Sequence, residues 1–215
     1  MDRLIIVRFI SSVHAIILPY RENPNLVMLQ MNARPRTMSE ILIGGIEKRA
    51  IVIAEYDPSW ADKFQIQAAL IMRALGSKAL GIEHVGSTSV PGLAAKPIID
   101  IVVVVEDSGD ENAWLPPLLT AGYVLRVREP DWHQHRMLRT AELDSHVHIF
   151  SSGCVETGRM IAFRNHLRRN AEDRLRYEAL KRTLAKQDWP GMDDYARAKT
   201  ELVEQLTAKA LQQMQ

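Results

Sequence analysis

From Glu83 to Asp100 the chain reads Glu-His-Val-Gly-Ser-Thr-Ser-Val-Pro-Gly-Leu-Ala-Ala-Lys-Pro-Ile-Ile-Asp, and its chemistry concentrates there. Gly86, Ser87, Thr88 and Ser89 offer backbone amides free of bulky side chains, together with three hydroxyls. Such a turn can nest an anion, a phosphate above all. Gly92 permits a second tight turn, and Pro91 stiffens the loop so that less entropy is lost on binding. Lys96 supplies a mobile cation and Asp100 a carboxylate at the mouth of the apolar run that follows. Phosphate nest, cation and carboxylate fall within fifteen positions, which suits a nucleotide or other phosphorylated ligand with a divalent metal. The competing reading is a plain Gly/Ser connection between strands. Neither a Walker A loop nor a dinucleotide G-x-G-x-x-G is present.

Further along, His146 and His148 stand two apart in an expected strand and so share a face. With Asp100 on a neighbouring strand, two neutral imidazoles suit Zn²⁺, Mn²⁺ or Fe²⁺ better than Mg²⁺. The alternatives are a polar pair for phosphate or carbonyl groups, or one histidine buried and hydrogen-bonded. Arg136 has the fork geometry for a phosphate or carboxylate. Arg164 and Arg168 are spaced to share a helix face. Lys181, Tyr195 and Lys199 continue this cationic theme on later helices, although charged helix faces are usually solvated.

The elements that must position these groups are legible in outline. Residues 50–56 read as a short strand. Asp57-Pro58-Ser59-Trp60 carries the N-cap and first-turn proline of a helix. Trp60, Phe64, Ala68, Ile71, Met72 and Leu75 recur at helical spacing up to Gly76. Residues 79–85 and 97–105 read as strands, and four consecutive valines place the second inside a helix-covered sheet. A helix over 113–121, a strand over 123–128 and a hairpin of 135–140 with 146–150 come next. Helices over 160–169, 171–187 and 193–211 close the chain, broken at Asn170 and at Trp189-Pro190-Gly191. Strands first and helices after give an α+β or mixed α/β domain.

Composition bounds the function. The chain has 215 residues, 47% hydrophobic and 25% charged, with net charge +1. Nothing in that balance argues for nucleic acid or an anionic membrane. Cys154 is the sole cysteine, which excludes an internal disulfide and a cysteine-based zinc site. The apolar run from Leu4 to Leu18 is too short to span a bilayer and lacks the marks of a secretory signal. A cytoplasmic, soluble protein is expected. Residues 1–46 form an atypical extension with candidate strands at 4–10 and 15–18, and the main domain is set at 47–215. Met38 is a candidate natural start, which would make 1–37 an overextended reading; the rival is an arm that packs on the domain or on a partner.

The run from Ile82 to Ile101 resembles the signature of the GrpB family, also called UPF0157. Further matches are Tyr56-Asp57-Pro58-Ser59-Trp60, Gly122-Tyr123, His146-Val147-His148, Phe163-Arg164-Asn165-His166-Leu167-Arg168 and Tyr177-Glu178-Ala179-Leu180-Lys181, with Tyr195 and Lys199. They keep one order from about Val52 to about Leu202. The resemblance implies a divergent nucleotidyltransferase of the polymerase-β superfamily: an α+β fold with a mixed sheet, flanking helices and a helical C-terminal region. It also implies transfer of a nucleotidyl group from a nucleoside triphosphate to a small acceptor. In that pattern Gly86-Ser87 hold the phosphates and Asp100 is the second of two acids binding two Mg²⁺ ions; Lys96 would neutralise the phosphate, and Mn²⁺ or Zn²⁺ is also considered at the metal site. The first acid position falls on Ile98, and the third nearest to His146-Val147-His148. Glu83 and the histidines are then candidates to complete a different metal or acid–base site. Arg164, Arg168, Lys181 and Lys199 would form a basic wall facing the Gly-Ser loop, and Arg136 and Tyr195 are further phosphate-binding candidates. The alternative is a pocket that binds a nucleotide or phosphometabolite without transfer. GrpB-like domains also occur fused to dephospho-coenzyme A kinase, which suggests a link to coenzyme A metabolism.

Overall fold

Asp57 accepts a hydrogen bond from the Ser59 amide at 2.9 Å, and helix α1 (Ser59–Leu75) starts there, as its composition requires. The structure is a computed structural model and describes residues 42–214. The strands expected at 4–10 and 15–18, and the remainder of the extension up to residue 41, lie outside the described residues.

Five strands follow: β1 (Gly81–Val85), β2 (Ile99–Val105), β3 (Val124–Glu129), β4 (His135–Arg139) and β5 (Ser145–Ser151). They form a mixed sheet in the order β1-β2-β5-β4-β3, in which only β2 and β5 run parallel. The valine-rich strand β2 is interior, as expected. The register alternates side chains between two faces. One face presents Ile99, Ile101, Val103, Leu138, Val147 and Ile149 to α1 and to helix α2 (Glu111–Thr120), where Trp60, Ile71, Trp114 and Leu118 complete a buried core. The other face carries Glu83, Asp100, His146 and His148, and only near Val85, Val102 and Phe150 does an apolar cluster cover it.

Four further helices complete the chain: α3 (Val155–Arg169), α4 (Ala171–Leu184), α5 (Met192–Arg197) and α6 (Thr200–Gln212). Leu167, Tyr177, Leu202 and Leu206 pack together with Val90 and Leu93, which ties these helices to the loop after β1. The Asn170 side chain accepts from the Asp173 amide at 2.9 Å and so ends one helix while capping the next.

Several boundaries differ from expectation, each for a local reason. Residues 50–56 form no strand; a single bridge joins Ala54 to Ala95, because the partner backbone is a loop bounded by Gly92 and Pro97. Helix α3 begins at Val155 and runs through Gly158, whose cost of about 1 kcal/mol the packed helix absorbs. Pro116 and Pro117 sit inside α2, and the Ala113 carbonyl that Pro117 leaves without an amide accepts from Lys78 Nζ at 2.6 Å. The helix expected over 193–211 is two, with Lys199 at the break. The described part of the extension is not separate from the sheet. Leu42 bridges Val127, the Ile43 amide donates to the Arg126 carbonyl at 2.9 Å, and the Arg126 guanidinium donates to the carbonyls of Ile43 and Gly45.

Candidate functional site

Asp100 pairs with Val85 on one side and His146 on the other, and Val102 pairs with Glu83 and His148. Alternation therefore brings Asp100, His146 and His148 to one face. His146 Nδ1 lies 3.4 Å and His148 Nε2 3.9 Å from Asp100 Oδ1. One ligand atom from each lies within 4.8 Å of the others, and this is the one such group among the described residues. Donors about 2.0–2.2 Å from a tetrahedral ion stand about 3.4 Å apart, so Asp100 and His146 already have ligand spacing and His148 stands slightly farther from Asp100. Burial pushes Asp100 towards neutrality, but the His146 and His148 rings outweigh it and hold the carboxyl far below its usual range.

The Gly86 backbone presses on that carboxylate. Its φ is +67° and ψ −172°, a region only glycine occupies readily, and a Cβ there would stand 2.9 Å from Asp100 Cβ and closer still to the carboxylate oxygen. Ser87, Thr88 and Ser89 form a 3₁₀ turn in which the hydroxyls divide their work. Thr88 donates to the Ile98 carbonyl at 3.0 Å and thereby accepts from His84 Nε2 at 3.1 Å. Ser89 donates to the Gly86 carbonyl at 2.6 Å. These two brace the loop rather than face a ligand. Ser87, half-buried, hydrogen-bonds with the buried Tyr177 hydroxyl.

Three lysines converge beside Asp100. Lys199 Nζ stands 3.9 Å and Lys96 Nζ 5.2 Å from the Tyr195 ring centroid, and Lys181 Nζ stands 4.9 Å from that of Tyr177. Lys181 also donates to the Ala94 carbonyl. No carboxylate lies within ion-pair distance of any of the three among the described residues. Burial lowers the Lys181 ammonium to about 7; it lowers Lys199 to about 7 as well, where the charges of Lys96 and Lys181 add to the effect. Burial also lowers Lys96. The Tyr195 hydroxyl is buried, with no hydrogen-bond partner among the described residues. Buried polar atoms seldom stay unpaired, and this one belongs to the ring over which Lys96 and Lys199 stand. The arrangement is chemically suited to a polyanion.

The other residues singled out from sequence fall elsewhere. Arg136 lies on the opposite face, where Glu111 holds its Nε at 2.6 Å, because β4 pairs Arg136 with Ile149 and not with a histidine. The residue that β4 does place beside His146 is Arg139, which donates to Glu47 at 2.8 Å. Arg164 donates to Glu83 at 2.8 Å and to the His84 carbonyl at 2.7 Å. Glu83 thus shares the face of Asp100, yet its carboxylate is turned to Arg164 and away from the three-donor group. Arg168 donates twice to the Ser89 carbonyl, at 3.0 and 2.7 Å. Both arginines hold the loop from behind. A pocket at the edge of the triad is lined by Arg49, Lys96, Ile98, Arg139, His146 and Asp193. Arg49 and Arg139 had no distinguishing sequence signal; strand register places Arg139 there, and the chain leading into the first helix brings Arg49.

The profile of the GrpB protein family matches residues 50–209. A UPF0157 protein of Halalkalibacterium halodurans is 46% identical over 184 residues, covering 83% of this chain and 94% of that one. A UPF0157 protein of Streptomyces coelicolor is 45% identical, covering 82% and 93%. The crystal structure of the conserved protein GrpB from Enterococcus faecalis superposes with a TM-score of 0.68 at 34% identity, over 76% of this chain and 99% of that one. A dephospho-CoA kinase of Mycolicibacterium paratuberculosis is 37% identical over 81 residues, 36% of this chain and 20% of the kinase. Among the described residues no helix is long and apolar enough to cross a membrane.

Proposed function

The chain belongs to the GrpB family, and from that premise we propose that its pocket binds a phosphorylated small molecule, a nucleoside triphosphate first, beside one divalent metal ion. The observation that carries this reading is a juxtaposition. A three-donor group of Asp100, His146 and His148 adjoins Lys96, Lys181 and Lys199, which have no carboxylate partners among the described residues. The histidine-rich donor set suits Mn²⁺, Fe²⁺ or Zn²⁺ more than Mg²⁺. Such an ion would supply Lewis acidity and charge at a phosphoryl oxygen. The lysines neutralise the phosphate chain, the Tyr195 hydroxyl donates to it, and Ser87 with the Gly86 turn orients it. Lys199 and Lys181, whose ammonium groups burial lowers to about 7, gain protons when a polyanion binds.

The reaction proposed is nucleotidyl transfer in the nucleotidyltransferase manner. An acceptor hydroxyl oxygen bonds to the α-phosphorus, the bond from that phosphorus to the bridging oxygen breaks, pyrophosphate leaves and the hydroxyl proton is released. Ile98, at the position where a two-metal centre places its first acid, favours a second reading: binding of a nucleotide or phosphometabolite without transfer. The partial likeness to a dephospho-CoA kinase supports a narrower form of it, with a coenzyme A precursor as ligand. Incubation with α-labelled nucleoside triphosphates, Mn²⁺ and a small-molecule extract tests the choice. Labelled adduct lost in Asp100→Ala supports transfer. Tight binding without adduct leaves the second reading, and adduct that survives Asp100→Ala removes the assigned centre.

A further inference from the structure

Behind the triad runs a chain of hydrogen bonds that fixes one of its ligands. Glu129 Oε2 stands 2.6 Å from His135 Nδ1, and His135 Nε2 stands 3.0 Å from His148 Nδ1. The remaining nitrogen, His148 Nε2, is the one that faces Asp100, at 3.9 Å. Protons can be placed on this chain in one way when both rings are neutral. The Glu129 carboxylate only accepts, so His135 carries its proton on Nδ1 and offers a lone pair on Nε2. That lone pair takes the His148 Nδ1–H, so His148 Nε2, the nitrogen on the Asp100 side, is the one whose lone pair a metal would take.

Packing holds the geometry. The His135 ring is buried and stacks on His148 with centroids 5.2 Å apart and planes 18° from parallel. It also stacks on Phe150 at 4.8 Å, and Trp132 meets its edge at 5.2 Å. The rings can therefore rotate little, and the nitrogens stay in line. The strand register makes this possible: β3 pairs Glu129 with His135, and β4 pairs Met137 with His148. All of these groups then lie on the face that carries the triad.

We infer that Glu129 and His135 are positioning residues that hold His148 by its Nδ1–H and so present Nε2 as its ligand atom, so that the triad takes a histidine-preferring transition ion in preference to magnesium. This rests on the metal reading proposed above. Metal-bound histidines ordinarily donate their other N–H to a carboxylate, carbonyl or similar acceptor, and loss of that partner weakens binding 10- to 100-fold. Here the acceptor is itself an imidazole, oriented in turn by a carboxylate. Asp100 and His146 have no comparable outer chain of histidines among the described residues, so the effect falls on His148.

Titration of the whole protein with Co²⁺, followed through its visible absorption, tests the inference together with ¹⁵N-resolved histidine spectra of the metal-free protein. The wild type takes one Co²⁺, and a thousandfold excess of Mg²⁺ does not displace it. Its metal-free His148 shows the Nδ1–H form. His135→Phe keeps the stacked ring, removes both nitrogens, weakens Co²⁺ 10- to 100-fold and shifts His148 towards Nε2–H. Glu129→Ala, at a partly exposed position, weakens Co²⁺ in the same direction and serves if His135→Phe does not fold. Variants that bind Co²⁺ as tightly as the wild type, with His148 unchanged, overturn the inference and leave the metal site standing. A wild type that takes up no Co²⁺, or yields it to Mg²⁺, overturns the inference and the metal reading together.

Discussion

The two faces of the one sheet were built from the same strands to opposite ends. In β2, Ile99, Ile101 and Val103 face α1 and α2 and are fully buried, while Asp100 between them faces the histidines. In β5, Val147 and Ile149 enter the same core, while His146 and His148 face the pocket. A one-residue slip of β2 would put a carboxylate among leucines and tryptophans and an isoleucine among cations, so the apolar face pins the register on which the site depends. The comparison teaches that stability and chemistry are assigned to alternate residues. Changes at adjacent positions then have separable effects.

A pair of neighbouring substitutions puts that separation to its hardest test. Ile101→Ala, wholly within the core, costs about 2–5 kcal/mol, which lowers Tm by roughly 10 °C in a domain of this size. The protein that remains folded still gains stability from Mn²⁺ and a nucleoside triphosphate. His146→Ala, half-buried on the other face, changes the Tm of the metal-free protein by no more than about 2–4 °C and abolishes the ligand-induced rise. Differential scanning fluorimetry with and without ligand reads both. A large loss of metal-free stability in His146→Ala would mean that the two faces are one energetic unit.

Gly86 stands where the faces meet, and its replacement sharpens the comparison at a smaller scale. Gly86→Ala forces a side chain into a backbone region that costs on the order of 1–3 kcal/mol, and the new methyl strikes the Asp100 carboxylate. Stability therefore falls by less than for Ile101→Ala, but ligand binding falls too, because Asp100 must turn from the histidines. Chemical denaturation gives the first quantity and nucleotide titration the second. Full ligand affinity in a destabilised Gly86→Ala protein would detach the Gly86 turn from the site.

Period-two alternation explains how much of this was readable. The sharing of a face by His146 and His148 and the interior place of the valine strand followed from spacing alone. What spacing cannot supply is register between strands distant in sequence. Arg136 and Arg139 are both plausible anion partners in the linear chain, and only the pairing with β5 decides that Arg139 lies beside His146 while Arg136 lies beneath the core helices. The same holds for Glu129 and His135, which become useful only once β3, β4 and β5 are aligned. The hydroxyls of Thr88 and Ser89 were legible as residue types, but their turn towards Ile98 and Gly86 depends on the 3₁₀ geometry of the loop. Lys199 stands four residues after Tyr195, a spacing that puts it near that ring on an unbroken helix too, yet the helix breaks between α5 and α6 at Lys199. Local propensity loses there to the tertiary demand of the pocket.

A further expected effect concerns protons, and its sign differs between folding and ligand binding. Burial lowers Lys181 and Lys199 to about 7, against an ordinary value near 10.5. Between about pH 7 and 10 the unfolded chain thus keeps protons on these lysines that the folded chain has released. Stability rises with pH wherever the unfolded state binds more protons, so the metal-free protein becomes more stable as pH increases across this window. The rise ends near pH 10, because burial holds the Tyr177 and Tyr195 hydroxyls protonated in the folded chain while those of the unfolded chain ionise. A phosphate ligand reverses the dependence. It requires the charged lysines, so its affinity is greatest below about pH 7 and declines above it, and binding near pH 8 draws protons from the buffer. Calorimetry in buffers of different ionisation enthalpy counts those protons, and Lys181→Met removes part of the uptake while it raises the stability of the empty protein near pH 7. Ligand affinity that stays level from pH 6.5 to 9, or a Lys181→Met protein less stable than the parent at pH 7, would show that these amines are already compensated in the empty pocket, and the polar face would then need no anion to complete it.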